Sequence, residues 1–440
     1  MPRLFRPRIR SVSTLALTCS CFLCLPLVAQ TAQSFTCGEE RSGNSQRLTS
    51  ASRFVDSSSG FGFDLVASPV EFTHGSCASD KPFFFSVAEP DGNYQVTLVL
   101  GSSKSSVTTV RAESRRLFVD RMDVPAGTSK TVVFNVNVRA ETIAGAAPSE
   151  DKVKLKPREI GALDWDHKLT LELNGTHPAI RSISVRPITG VPVVYLAGDS
   201  TVVDQDKEPW AAWGQMLPVF FGPHVVIANE AESGETIRSF TSERRLAKIL
   251  STIKPGDYLL IQFAHNDQKA GTPEQTDFKG YLKRYVDAAR EHGATTILVT
   301  SMNRRAFATD GTITDTLGGY PQAMREFAAT EHIPLIDLNA LSKTLFTAMG
   351  PEGTLRAFVH YPANTFPGQT EELKDDTHFN SYGAYELARA VVEAIKDQGL
   401  PLAQYLRKDI SAFDPAHPDV VADFNLPESP LISTEKPYGK

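Results

Sequence analysis

The sequence predicts an α/β protein in which an all-β region precedes a parallel sheet covered by helices on both faces. Three observations lead there. The chain has 440 residues, too many for one ordinary domain. Residues 33–187 carry short β-rich runs separated by turn formers, with few helical patterns. Residues 191–412 instead alternate apolar strand runs with amphipathic helical stretches.

Residues 1–29 read as a targeting segment. Arg3, Arg6, Arg8 and Arg10 form a basic start, the apolar run Leu15–Ala29 follows, and Leu-Val-Ala at 27–29 suits a signal peptidase. The run is short for a membrane span and lacks a charged stop, so export to a secreted or periplasmic location is expected; the alternative is an uncleaved anchor. Of five cysteines, only Cys37 and Cys77 lie beyond this segment. An exported compartment permits them to pair, and two unlinked thiols remain the other reading. The whole chain carries a net charge of −6. Cleavage removes four arginines and no acid, which leaves 41 basic against 51 acidic residues, or −10. A mildly acidic chain has no electrostatic footprint for nucleic acid, and none is expected as a partner, nor a membrane once the leader is cut.

In the front region the strand candidates are Phe83–Val87, Tyr94–Leu100, Ser106–Val110, Thr131–Val138, Lys168–Leu173 and Ile180–Val185, and they suggest an antiparallel sandwich. Beyond Gly190-Val191-Pro192, the runs Val193–Leu196, His224–Ala228, Tyr258–Phe263 and Thr295–Thr300 read as buried parallel strands. Helical stretches are expected at Ser242–Ile253, Phe278–His292 and Ser381–Gln398. The tail, residues 413–440, is rich in proline and charge and reads as a surface extension.

Ligands of a doubly wound sheet gather beyond the carboxyl ends of its strands. Ser200 follows the first parallel strand, Gly234 the second and Asn266 the third, while Asp375 and His378 fall in a late loop before the last helix. A serine hydroxyl becomes a nucleophile when a base takes its proton; His378 is the candidate base and Asp375 its orienting carboxylate. The backbone N–H groups of Ser200 and Gly234 and the Asn266 amide are candidate oxyanion donors, each worth about 3–4 kcal/mol in the transition state. This chemistry needs no metal or organic cofactor, and the scattered histidines show no ligand spacing. Each block alone is ordinary turn or cap chemistry; their order along successive strands is what carries the catalytic reading. Trp210 and Trp213 read as packing residues rather than a sugar platform. Arg304 and Arg305 follow the fourth strand and are candidate substrate contacts, a uronate carboxylate suiting a guanidinium, with structural pairing as the alternative.

On Gly198-Asp199-Ser200-Thr201, Asn229-Glu-Ala-Glu-Ser-Gly234, His265-Asn266-Asp267 and Asp375-Asp-Thr-His378-Phe379, the chain resembles the SGNH (GDSL-like) hydrolases. Trp-Gly-Gln-Met-Leu at 213–217 and Arg238-Ser-Phe240 resemble their rhamnogalacturonan acetylesterase branch. The resemblance spans roughly residues 191–400. It implies a three-layer, flavodoxin-like α/β/α hydrolase and an esterase that deacetylates a pectic polysaccharide. Ala264 stands where the third block often has glycine, and Glu235 where this branch usually has arginine, which leaves substrate contact there open. The front region is similar to the galactose-binding-like sandwiches found ahead of such esterases, and both glycan binding and a purely structural role stay open for it. Other acetylated glycans, lipid esters or thioesters are the alternative substrates; the polar loops at 270–277 and 351–372 favour carbohydrate. A non-catalytic carbohydrate-binding protein on an esterase scaffold is the reading from a different class.

Overall fold

The computed structural model describes residues 31–38, 44–55, 60–65 and 70–437. The expected leader therefore lies outside the described residues. From Ala32 onward the chain forms one compact unit.

Two sheets build the front region. One has the order Lys130–Val138, Gly92–Leu100, Ala179–Pro187, Gln33–Thr36 and Gln46–Arg47, with Ser76–Ala78 and Glu71–Thr73 at its side. The other runs Phe61–Asp64, Phe83–Ala88, Lys168–Thr176, Ser106–Ala112 and Arg116–Val124, antiparallel throughout. Side chains alternate across a strand, so Tyr94, Val96, Leu98 and Leu100 all point to one face and are buried. They share an apolar core with Phe35, Phe83, Phe85, Val110, Leu171 and Ile183 from both sheets. A Cys37–Cys77 disulfide, with Cα atoms 5.5 Å apart, ties the first strand to Ser76–Ala78.

The second region is a five-stranded parallel sheet in the order Val226–Asn229, Val193–Gly198, Tyr258–Gln262, Thr295–Val299 and Leu335–Ile336. Both faces are covered, as parallel strands require. Val194 and Leu196 enter the core that holds Leu387 and Val391 of the helix Ser381–Asp397. Val193, Tyr195 and Ala197 enter the opposite core with Leu282 and Val286 of the helix Lys279–Glu291. The expected helix at Ser242–Ile253 is instead two short ones, Ile237–Ser242 and Arg245–Leu250, separated where Arg244 takes φ 68°. The helices Tyr320–Glu331 and Leu338–Thr354 and the strand Leu335–Ile336 go beyond the elements read from sequence.

The two regions meet through buried polar contacts rather than a loose linker. Arg116 pairs with Asp204 at 3.0 Å, Arg115 with Glu208, and Asn135 donates to the Val225 carbonyl at 3.1 Å. The segment after Phe413 is also docked, in contrast to a loose extension. Phe424 packs on Tyr382 and Tyr385, and Arg389 holds the Ala412 carbonyl and Asp419.

Candidate active site

Ser200 sits at the turn that ends the strand Val193–Gly198. Asp199 forms that turn: its carbonyl accepts the N–H groups of Val202 and Val203, and its Oδ1 accepts the Thr201 N–H at 2.9 Å. Gly198 allows it, because a Cβ there would lie 2.6 Å from Val202 and 3.0 Å from the Gln262 carbonyl. Gln205 donates to the Ser200 carbonyl at 2.9 Å, which holds the turn from below.

Asp375 and His378 lie on a hairpin, not in a free loop. Leu373–Phe379 pairs with Phe358–Tyr361, but the register jumps from Val359–Asp375 to Phe358–Phe379, so residues 376–378 bulge outward. Asp375 organises the bulge through its Oδ1, which accepts the N–H groups of Thr377 at 2.8 Å and His378 at 2.9 Å. Its Oδ2 lies 2.9 Å from His378 Nδ1, and His378 Nε2 lies 2.9 Å from Ser200 Oγ. With the ring proton on Nδ1, the imidazole donates to Asp375 and accepts from the serine hydroxyl. All three residues are at most 3% exposed. Burial alone would raise the Asp375 carboxyl, but His378 and then Lys436 hold it well below the usual carboxylate range. The carboxylate is ionised at any pH where an esterase would work.

Gly234 and Asn266 lie on the segments that follow the second and third parallel strands. Gly234 has φ +80°, a left-handed conformation open to glycine without strain, and it turns the loop after Val226–Asn229. Asn266, at the start of the helix His265–Ala270, donates one amide hydrogen to the Glu235 carbonyl at 3.0 Å. An amide has a second hydrogen, which a ligand oxygen can take. His265 is fully buried 3.5 Å from Asp199 Oδ2. Burial lowers the His265 value; burial alone would raise Asp199, but the neighbouring His265 and then the Thr201 bonds hold its carboxyl low. Asp267 accepts the Ile237 N–H at 3.1 Å, and burial pushes its carboxyl up to about 7.

The Gly234 loop is held from the front region. Lys156 Nζ donates to the Ser233 carbonyl at 2.7 Å and pairs with the buried Glu235, while Arg158 pairs with Glu232. Glu235, which replaces the usual arginine, is thus an internal ion-pair partner, with Arg245 a further 3.7 Å away. Nothing in its spacing marks Lys156 in the sequence, since it is 79 residues away.

Of the other candidates, Arg304 is engaged by the Thr316 carbonyl at 2.9 Å and the His265 carbonyl at 3.2 Å, which places it beside the third block. Arg305 is bound to Asp376 at 3.1 Å and to the Pro351 carbonyl at 2.9 Å, so it braces the Asp375 hairpin. Trp213 is buried and donates to Gln262 at 2.8 Å. Trp210 has a role the sequence does not reveal: its ring stands edge-on to His378 at 5.9 Å.

A serine, imidazole and carboxylate in hydrogen-bonded line suit acyl transfer. The sequence model of the GDSL-like Lipase/Acylhydrolase family matches residues 196–385. Rhamnogalacturonan acetylesterase RhgT of Bacillus subtilis is 45% identical over 216 residues, covering 48% of this chain and 93% of that protein. The probable rhamnogalacturonan acetylesterase YesY of the same organism is 36% identical over 222 residues, covering 49% and 98%. The chain belongs to the GDSL-like acylhydrolase family. As an SGNH-type member it is a carboxylic ester hydrolase. A third relative, the uncharacterized esterase YxiM of B. subtilis, is 28% identical over 370 residues, covering 80% of this GDSL hydrolase and 87% of that protein.

Proposed function

We propose that this GDSL hydrolase is an exported carbohydrate esterase that removes acetyl groups from a pectic polysaccharide of the rhamnogalacturonan type. The observation that carries the chemistry is the line Ser200 Oγ, His378 Nε2, His378 Nδ1, Asp375 Oδ2, with both gaps at 2.9 Å. Ser200 attacks the acetyl carbonyl as its proton passes to His378 Nε2. The N–H groups of Ser200 and Gly234 and the Asn266 amide take the oxyanion. Collapse breaks the bond to the sugar oxygen, which takes the proton from Nε2 and leaves as the free hydroxyl. Water then attacks the acetyl-enzyme, gives its proton to His378, and releases acetate and Ser200. Asp375 keeps the ring oriented and stabilises the imidazolium throughout.

Two things support the pectic substrate. One is the 45% identity to RhgT over nearly all of that protein. The other is the Arg304 guanidinium, which lies beside the third block, 3.2 Å from the His265 carbonyl, and is of the kind that suits a uronate carboxylate. Export rests on the basic-apolar leader and the Cys37–Cys77 bridge. For the front region, its buried contacts with the Gly234 loop favour a structural role over independent glycan binding.

Acetate release across acetylated pectins, xylans and chitins tests the substrate, and Ser200→Ala tests the mechanism. The variant should fold and lose turnover of 4-nitrophenyl acetate and labelling by an organophosphate. Turnover retained by Ser200→Ala would refute the mechanism; preference for acetylated xylan or chitin would refute the substrate.

A further inference from the structure

The C-terminal segment reaches the active site, and its path over residues 427–436 is closely specified. The Glu208 N–H donates to the Leu431 carbonyl at 2.8 Å, and the Ser433 N–H returns to the Glu208 carbonyl at 2.9 Å. The Ser429 N–H meets Glu208 Oε1 at 3.1 Å, and Trp210 Nε1 donates to the Ser433 carbonyl at 3.0 Å. Farther back, Asn174 of the front region donates to the Glu428 carbonyl at 2.8 Å, and Arg111 holds the Pro427 carbonyl. The strap is therefore tied to both regions and to the tryptophan that packs on His378.

Three residues past Ser433, Lys436 Nζ lies 2.9 Å from Asp375 Oδ2, the same oxygen that accepts from His378. The Lys436 side chain is 41% exposed, while that of Asp375 is 2% exposed. Asp375 thus serves four donors: two backbone N–H groups, the imidazole and a lysine. Residue 436 lies well outside the 196–385 stretch that matches the family.

From this geometry, and resting on the triad reading above, we infer that Lys436 is a positioning residue of the catalytic carboxylate, delivered by the C-terminal strap, and that it sets the pH range of the reaction. An ammonium on Asp375 offsets part of the negative charge that stabilises a protonated imidazole. Removing that ammonium should therefore displace the acid limb of the rate profile toward higher pH. The other charged groups around the pair are Lys269, Arg304, His265 and Asp199 on the third-block side, and Asp376 with Arg305 and His360 on the hairpin. All of these side chains remain when Lys436 is replaced, and among them Lys269 loses the repulsion of its charge.

The test is kcat/KM for 4-nitrophenyl acetate against pH in the full-length wild type, Lys436→Met, Lys436→Arg and Ser200→Ala. The acid limb of Lys436→Met should move up by about one pH unit. Lys436→Arg, which keeps the charge, should restore the wild-type limb. An unmoved limb in Lys436→Met, or a Lys436→Arg limb displaced as far as that of Lys436→Met, overturns the inference. A uniform loss of rate with no shift is what a purely structural anchor would produce, and it too overturns the inference. Turnover surviving in Ser200→Ala would instead overturn the triad reading on which this one rests.

Discussion

Replacing Lys156 with methionine removes the clamp on the Gly234 loop while leaving every triad residue in place. Lys156 bonds the Ser233 carbonyl at 2.7 Å and pairs with Glu235, whose side chain is 0% exposed, while the lysine itself is 17% exposed. Breaking one side of a buried ion pair costs about 3–5 kcal/mol. Arg245 stays 3.7 Å from Glu235, and the partly exposed lysine site admits water, so a loss of about 3 kcal/mol is expected, the low end of that range. Burial pushes the Glu235 carboxyl above its ordinary value against the pull of Lys156. Its ionised form is therefore the one penalised in the fold, and the loss should grow as pH rises from 5 to 8. Because Gly234 follows Ser233 directly, a loosened loop should also lower kcat by about ten-fold. Denaturant unfolding at the two pH values and initial rates on 4-nitrophenyl acetate read both effects. The decisive control is Lys156→Met with Glu235→Gln. It removes the orphaned charge but keeps an acceptor for Ser239, which donates to Glu235 at 2.5 Å. The double variant should regain most of the lost stability. A single variant that loses under about 1 kcal/mol, or a double variant no better than the single, would refute the clamp as a buried charge pair.

Asn266→Ala should lower kcat by about 10²–10³ with the fold intact, since it deletes a side-chain oxyanion donor; an unchanged kcat in steady-state assays would remove Asn266 from the site. Asp267→Asn should melt higher than wild type at pH 8, with the advantage fading toward pH 4. The Asp267 carboxyl sits at about 7 in the fold and near 3.9 in an unfolded chain, so between those values the folded state keeps a proton the unfolded state has released, and wild-type stability falls as pH rises. Equal melting shifts at both pH values would count against a burial-raised carboxyl.

Much of the parallel sheet was legible because continuous apolar runs bounded by glycine and polar turns admit few other structures. Val193–Gly198 and Tyr258–Gln262 fall where the pattern places them. The candidate catalytic blocks were legible for a related reason: each is short and local, and the first three follow strands of the parallel sheet. The boundaries were less so. Arg244 takes a left-handed conformation that no periodicity signals, and it splits one expected helix into two. The 351–372 stretch, read as polar loop, contains Phe358–Tyr361, the strand that makes the Asp375 hairpin. A four-residue strand with one short partner leaves too little pattern to recognise.

By itself the sequence determined the class of chemistry and pointed to Ser200, Gly234, Asn266, Asp375 and His378 as its candidates, in local motifs whose order along the chain suits one rim of a doubly wound sheet. Tertiary structure alone decided what holds those residues in place. Lys156 reaches Ser233 and Glu235 from the front region, Trp210 packs on His378, and Lys436 meets Asp375 from 61 residues away. Such partners are single charged or aromatic side chains chosen by through-space distance. A lone lysine in a polar segment looks in sequence like any solvated one until the fold sets a buried carboxylate against it.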